Sequence, residues 1–356
     1  MKGLILSGGK GTRLRPLTFT RAKQLIPIAN KSNLLYVVDD LVAAGVSDLG
    51  IVISPETGDE IRQHLLEARP EGVQFTFIEQ GEPLGLAHAV QTAQGFLGND
   101  SFVMYLGDNL LSGGIGHLVQ EYENSHPDAI VLLTRVENPR QFGVAVLDPD
   151  GRVLRLVEKP KDPPSDLALV GVYLFSPRIH EVIRTLKPSW RGEYEITEAI
   201  QGLVDRERPV VAHLVRGWWK DTGKPEDLLE ANRLVLSQIT RNIEGEVAGC
   251  EMLGEIVLEA GARVTRSELR GPIHIASGAV VEDSYVGPYT SIGQGSQVIG
   301  SEVEFSILLP QCEVLHVPYR LDASVIGQGA LVTRDTRRRR QHTVDLVVGD
   351  FSRICL

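Results

Sequence analysis

Three glycines and four cations crowd the start of the chain. Gly8-Gly9-Lys10-Gly11-Thr12-Arg13-Leu14-Arg15-Pro16 follows a short apolar run, residues 2–6, and precedes Lys23-Gln24-Leu25-Ile26-Pro27. Glycines directly after a strand let the backbone curl tightly and aim its N–H groups at an anion. Arginines and lysines close behind can neutralise a polyphosphate. Together these are the requirements of a nucleoside triphosphate site. The loop is neither common phosphate motif. Leu14 stands where a dinucleotide fingerprint carries its third small residue, and Lys10 is followed by Gly11 rather than Ser or Thr. A tight turn without a ligand would explain the glycines but not the clustered charge.

Two acids are candidates for a hard cation. Asp108 ends the apolar run of Leu106-Gly107-Asp108-Asn109, and Asp221 lies in Trp219-Lys220-Asp221-Thr222-Gly223. Mg²⁺ prefers oxygen ligands and needs only one or two from protein. Each acid also has a bland reading: Asp108 as a turn, Asp221 as a cap for the helix expected after Pro225. Glu158-Lys159-Pro160 places a cation at a strand end, although such a tripeptide is an ordinary surface turn. Gln80 can both donate and accept, as the imide edge of a pyrimidine requires. His88 reads as a helix surface residue. No Ser-His-Asp or Cys-His set is recognisable.

Gly8-Gly9-x-Gly11-Thr12-Arg13-Leu14 with Lys23-Gln24-Leu25 resembles the signature of the sugar-1-phosphate nucleotidylyltransferases. The resemblance runs through most of the chain, in the longer form with a C-terminal extension. Members that join dTTP to glucose 1-phosphate are the most similar. The resemblance implies a nucleotide site of Leu6, Gly8, Gly9, Gly11, Thr12, Arg13, Gln80, Gly85 and Asp108, with Gly85 admitting the base. It implies a sugar-phosphate site of Lys23, Gly143, Glu158, Lys159, Gly171 and Glu195. Arg13 and Lys23 inherit the catalytic roles, and Asp108 and Asp221 inherit Mg²⁺. Gly171 is explained equally well by a β-bulge. Family members often carry Asp before the glycine at 85; here it is Leu84, which leaves base choice less defined.

The reaction so implied gives dTDP-glucose and pyrophosphate, for rhamnose or other deoxysugar synthesis. A sugar phosphate is already an ionised nucleophile, so catalysis reduces to in-line positioning and charge neutralisation. UTP or another hexose phosphate is an alternative within the class. An acyltransferase extension using His274 or His316 is an alternative from another class. A non-catalytic sensor is a third, and the set Arg13, Lys23, Asp108, Lys159 and Asp221 speaks against it.

Elements must hold these residues. Leu34, Leu35, Val38, Leu41 and Val42 share a helical face closed by Gly45. Strands are expected over 49–53, 73–78 and 102–105, and helices over 60–68 and 86–96. This alternation predicts a Rossmann-like α/β domain with a mostly parallel sheet, whose ligands bind beyond the carboxyl ends of its strands. A helix over 225–238 closes it. From about residue 245 the texture changes to short apolar residues and frequent glycines. Val280, Val286, Ile292 and Val298 are six apart, which predicts a left-handed parallel β-helix of hexapeptide type. Ordinary antiparallel strands are the alternative. The domains are expected at 1–240 and 241–356, each with its own core, so that the first could stand alone.

Bulk properties narrow the partners. A 356-residue chain has length for two domains, and a net charge of -10 argues against general nucleic-acid binding. Arg337 to Arg340 reads as a solvated basic turn. Cys250, Cys312 and Cys355 give no disulfide framework or zinc spacing, so a reducing cytoplasm is expected. No segment approaches a membrane-spanning length, and the N-terminal run is too short for a secretory signal. A homo-oligomer assembled through the β-helix is expected.

Overall fold

The computed structural model describes residues 1–334. Arg337 to Arg340 and Cys355 lie outside the described residues. Contacts divide the chain into two compact units. One comprises Met1–Lys10, Arg21–Leu25 and Asn33–Asp221; the other comprises Gly11–Thr20, Ile26–Ser32 and Thr222 onward. By contacts the helix Pro225–Leu236 groups with the second unit, whose main segment begins at Thr222.

The first unit is built on one sheet. Its strands are β1 (Lys2–Leu6), β2 (Asp48–Ile53), β3 (Gln74–Glu79), β4 (Phe102–Leu106), β6 (Ala129–Arg135), β7 (Gly143–Leu147), β8 (Val153–Glu158), β9 (Leu167–Phe175) and β10 (Val210–Leu214). The short β5 (Asn109–Leu111) pairs instead with β11 (Trp219–Asp221). The main order is β8-β7-β9-β4-β1-β2-β3, with β6 on β9 and β10 on β6. Strands β1 to β4 are mutually parallel, whereas β9 runs antiparallel to β4, β6 and β7.

Alternation explains why this sheet is covered twice. Leu4, Leu6, Phe102 and Met104 pack into one core with Ile196, Ile200 and Leu203. Ile5, Val103 and Tyr105 pack into a second core with Leu34, Val38 and Leu41. Successive residues of one strand point to opposite faces, so a run that is apolar throughout requires cover on both. Because β1 to β4 are parallel, the glycine turn after β1, Gln80 after β3 and Asp108 after β4 all follow carboxyl ends at one edge.

The second unit contains three parallel sheets that coil. Val264, Val281, Val298 and Val314 pair in register from turn to turn. These stacked sheets fit the expected left-handed β-helix. The repeat is not a strict six: Val281, Val286, Ile292 and Val298 are the fully buried positions, at steps of five, six and six, while Val280 is only half-buried. A stack of serines marks one corner. Ser267 Oγ accepts from the Ser284 N–H and Ser284 Oγ from the Ser301 N–H, at 3.1 and 3.2 Å, each 17 residues on.

The segment Ile26–Ser32 belongs to this unit through dense bonding. Pro27–Ile28 and Lys31–Ser32 pair across Ala29 and Asn30, both at positive φ, as a tight hairpin requires. The Ala29 N–H donates to Asn232 Oδ1 at 2.8 Å, and Asn30 Nδ2 donates to the carbonyls of His274 and Ile292 at 3.1 Å each. His274 Nδ1 donates to the Ala29 carbonyl at 3.0 Å, and its Nε2 meets Glu259 Oε1 at 2.8 Å. Both ring nitrogens of His274 are thus engaged in anchoring. His316 is exposed, in a turn at positive φ.

Candidate active site

Chain turns after three parallel strands bring the first set of charged groups together. A Cβ at Gly9 would stand 3.0 Å from Lys23 Cε and 3.2 Å from its Nζ, and one at Gly8 would stand 3.5 Å from Gln80 Oε1. The Gly8–Gly9 turn therefore lies between the candidate base contact and the candidate phosphate cation. Lys23 reaches on to an ion pair with Asp108 Oδ2, and both side chains are largely withdrawn from water. Burial works against the charged form of Asp108. The Lys23 ammonium and the Asn109 amide nevertheless hold its carboxyl below the ordinary carboxylate range.

Asn109 is a hub that the sequence reading passed over. Its Nδ2 donates to Asp108 Oδ1 at 3.1 Å. Its Oδ1 accepts from Trp219 Nε1 at 2.7 Å and from the Gly171 N–H at 3.2 Å. Asp221 pairs directly opposite Asn109 in the β5–β11 ladder, and Asp108 is the residue immediately before that ladder. Asp221 sits in a strand, not at a helix cap; Lys224 is the cap residue of Pro225–Leu236. Among the described residues no group of three or more His, Cys, Asp or Glu converges as a metal site. Two carboxylates with no nitrogen or sulfur donor is still a set that fits Mg²⁺, which takes its remaining ligands from water and phosphate.

A second cluster gathers round β7 and β8. Glu158 ends β8 opposite Gly143 of β7, and Thr197 Oγ1 donates to Glu158 Oε2 at 2.6 Å. A Cβ at Gly143 would lie 2.7 Å from that hydroxyl and 2.9 Å from that carboxylate, so the carboxylate's position depends on the missing side chain. Lys159 Nζ lies 3.7 Å from Glu158 Oε1. Glu195 is buried, and Ser189 Oγ donates to its Oε1 at 2.9 Å. Burial raises its carboxyl above the ordinary value, against the pull of Ser189 and Arg191.

Arg191 joins this cluster and was missed. Its Nη2 donates to Glu193 Oε1 at 2.7 Å, and its Nη1 lies 3.5 Å from Glu158 Oε1 and 3.4 Å from Glu195 Oε1. The alternation Arg191-Gly192-Glu193-Tyr194-Glu195 was the available signal, a cation beside acids on alternate positions. With Lys159 it gives this cluster two cations.

Two glycines serve neighbours within the protein. Gly85 has φ +104, and a Cβ there would stand 2.5 Å from the Tyr194 carbonyl oxygen. The Tyr194 N–H donates to the Leu84 carbonyl at 2.7 Å, and its carbonyl accepts from Ala87 N–H at 3.0 Å. The close approach at Gly85 is thus the backbone of Tyr194. The space beside Gly171 is filled by Leu106 and Asn109, and the neighbouring strand β6 slips register against β9 between Leu169 and Tyr173. That shift in register at the glycine fits the bulge reading. His88 is not a bare surface residue: its Nδ1 lies 2.9 Å from Gln80 Nε2. Leu6 is buried, and its carbonyl accepts from the Gly107 N–H at 2.9 Å.

Gly11, Thr12 and Arg13 group with the second unit. Gly11 is in the left-handed region at φ 62, and Thr18 Oγ1 donates to its carbonyl at 2.7 Å. Arg13 lies in the single turn Thr12–Leu14 with its side chain exposed.

A family model described as nucleotidyl transferase matches residues 2–238. The chain belongs to the nucleotidyl transferase family. Among its relatives is a glucose-1-phosphate thymidylyltransferase of Streptomyces antibioticus, 47% identical over 356 residues and 99% of each chain. Another of that name, from Streptomyces griseus, is 48% identical over 99% of each chain. A solved Bacillus anthracis chain assigned as a glucose-1-phosphate thymidylyltransferase, in complex with a sucrose, superposes with a TM-score of 0.63. It is 35% identical and covers 68% of this nucleotidyl transferase and 97% of itself. No helix among the described residues is long and apolar enough to cross a membrane.

Proposed function

We propose that this nucleotidyl transferase joins dTTP to α-D-glucose 1-phosphate, giving dTDP-glucose and pyrophosphate. A phosphate oxygen of the sugar phosphate attacks the α-phosphorus, and the bond from that phosphorus to the bridging oxygen of the β-phosphate breaks. The observation that carries this reading is the pairing of two charge clusters in one unit. Lys23 and Asp108 stand under the glycine turn, and Lys159 and Arg191 stand among Glu158, Glu193 and Glu195. The first suits a triphosphate and the second a sugar phosphate with its hydroxyls. The thymidylyltransferase relatives support the choice of substrates.

Roles follow from chemistry. Lys23 holds the reacting phosphates, and Lys159 anchors the nucleophile with Arg191 beside it. Glu158, held by Thr197, and Glu195, held by Ser189, accept from sugar hydroxyls. Arg13 is assigned to the α-phosphate and departing pyrophosphate on its place in the sequence motif. Asp108 and Asp221 would hold Mg²⁺, which when bound neutralises triphosphate charge. Gln80 is assigned to the base. Thymine and uracil share the imide edge it would read, so UTP is the second reading. The domain division at 1–240 and 241–356, assembly as a homo-oligomer through the β-helix, a cytoplasmic location and supply of deoxysugar synthesis belong to the same proposal. Pyrophosphate release measured across dTTP, UTP, CTP, ATP and GTP with several hexose 1-phosphates tests it. Release confined to other pairs would move the assignment to those substrates.

A further inference from the structure

We propose that His88 is a specificity-determining positioning residue, which locks the Gln80 carboxamide so that it offers the base only an acceptor. The inference rests on the reading of Gln80 as the base contact.

A carboxamide has two donor hydrogens on nitrogen and an acceptor oxygen, and it can present either end. Here neighbours decide. The Gly85 carbonyl, 3.3 Å from Gln80 Nε2, can only accept. The atom facing it is therefore the nitrogen, whichever way the amide is drawn. The second N–H faces His88 Nδ1 at 2.9 Å. That nitrogen must carry its lone pair, so the ring proton sits on Nε2. Both amide hydrogens are then used, and Oε1 remains, on the side of Gly8 at 3.5 Å from where a Cβ would stand. Gln80 is buried, so an alternative rotation would strand its N–H groups away from water.

The lock is itself held. His88 lies in the first turn of the helix Leu86–Thr92, and its ring stacks on Tyr194 with centroids 6.3 Å apart and planes at 27°. The Tyr194 backbone is bonded to Leu84 and Ala87 on either side of Gly85. An acceptor at Oε1 suits the N3–H of thymine or uracil. It opposes cytosine, which carries a lone pair at N3. The contact thus selects the imide bases as a class and does not separate thymine from uracil.

The test compares kcat and KM for dTTP and dCTP, and KM for glucose 1-phosphate, in full-length His88→Phe, His88→Asn and Gln80→Ala. Phe keeps a ring on Tyr194 without an acceptor; Asn restores an acceptor near the Nδ1 position. His88→Phe is expected to raise the KM for dTTP and shrink the dTTP-over-dCTP preference, each about tenfold, because a buried donor is left unmet. The KM for glucose 1-phosphate stays unchanged, and His88→Asn recovers most of the preference. A preserved preference in His88→Phe, with the preference lost in Gln80→Ala, overturns the role of His88 and leaves the base contact standing. An unchanged preference in Gln80→Ala overturns the base contact instead. A lower kcat of His88→Phe with a raised KM for both substrates, glucose 1-phosphate included, marks a merely structural residue and also overturns the proposal.

Discussion

Replacing Asp108 by Asn separates the charge of this residue from its shape. The carboxylate pairs with Lys23, and the two side chains are 12% and 15% exposed. Breaking a fully buried ion pair by removing one partner costs about 3–5 kcal/mol, whereas exposed pairs contribute about 0–1 kcal/mol. With most of each side chain withdrawn from water, and an amide still able to meet Asn109 or Lys23, a loss of about 2–3 kcal/mol is expected. At roughly 2–4 °C per kcal/mol for a domain of this size, the unfolding midpoint should fall by about 4–12 °C. Turnover should fall further, by about 10²–10³, because the carboxylate charge that would hold Mg²⁺ against the triphosphate is gone. The double variant Asp108→Asn with Lys23→Met leaves no unpaired buried charge. It should regain most of the midpoint and none of the turnover. Thermal unfolding and pyrophosphate release on all four proteins of the cycle measure both quantities. An Asp108→Asn protein with wild-type midpoint and turnover within twofold would show that the charge of Asp108 serves neither the fold nor the reaction. A double variant whose stability losses simply add would contradict the pairing with Lys23.

Lys159→Ala should raise the KM for glucose 1-phosphate at least tenfold, with a smaller effect on the KM for dTTP, since it removes a charge-assisted contact to the nucleophile alone; steady-state kinetics with each substrate varied decides. A chain ending at Arg241 loses three hydrogen bonds of the hairpin at Ala29–Asn30, those made with His274 and Ile292. At about 0.5–1.5 kcal/mol each, the truncated protein should be about 1.5–4.5 kcal/mol less stable around that hairpin. Hydrogen exchange at residues 26–32 reads this, and unchanged protection would show that the coil contributes nothing there.

Local chemistry was legible where it is contiguous. The glycine turn, Lys23 and Asp108 could be placed together because strand, turn and acid follow each other in the chain, and parallel strands put their ends at one edge. Glu158 and Lys159 were legible for the same reason. Arg191 had a local signal in Glu193 and Glu195, but its link to Glu158, which reaches it from a different strand, was not legible. The contact of His88 with Gln80 was not legible, since its helix position hides that Gln80, eight residues earlier, turns back toward it. The coil was recognised, but its strict six-residue repeat was off by one at Val280. A coil of 17 residues must divide unequally among three sides, so Val281 takes the core position. The bonding of the hairpin at Ala29–Asn30 was not legible, because its partners lie some 200 residues away or more. His274, a candidate acyltransferase base in the sequence, has both nitrogens committed to that anchor.

The most direct test of the account is product analysis with purified full-length protein, Mg²⁺, dTTP and glucose 1-phosphate. dTDP-glucose and pyrophosphate are expected in equal amounts, with both lost on omission of Mg²⁺ and the reaction reversed by added pyrophosphate. Absence of any nucleotide sugar across the panel of nucleotides and hexose 1-phosphates, from a folded protein, would contradict the proposed reaction.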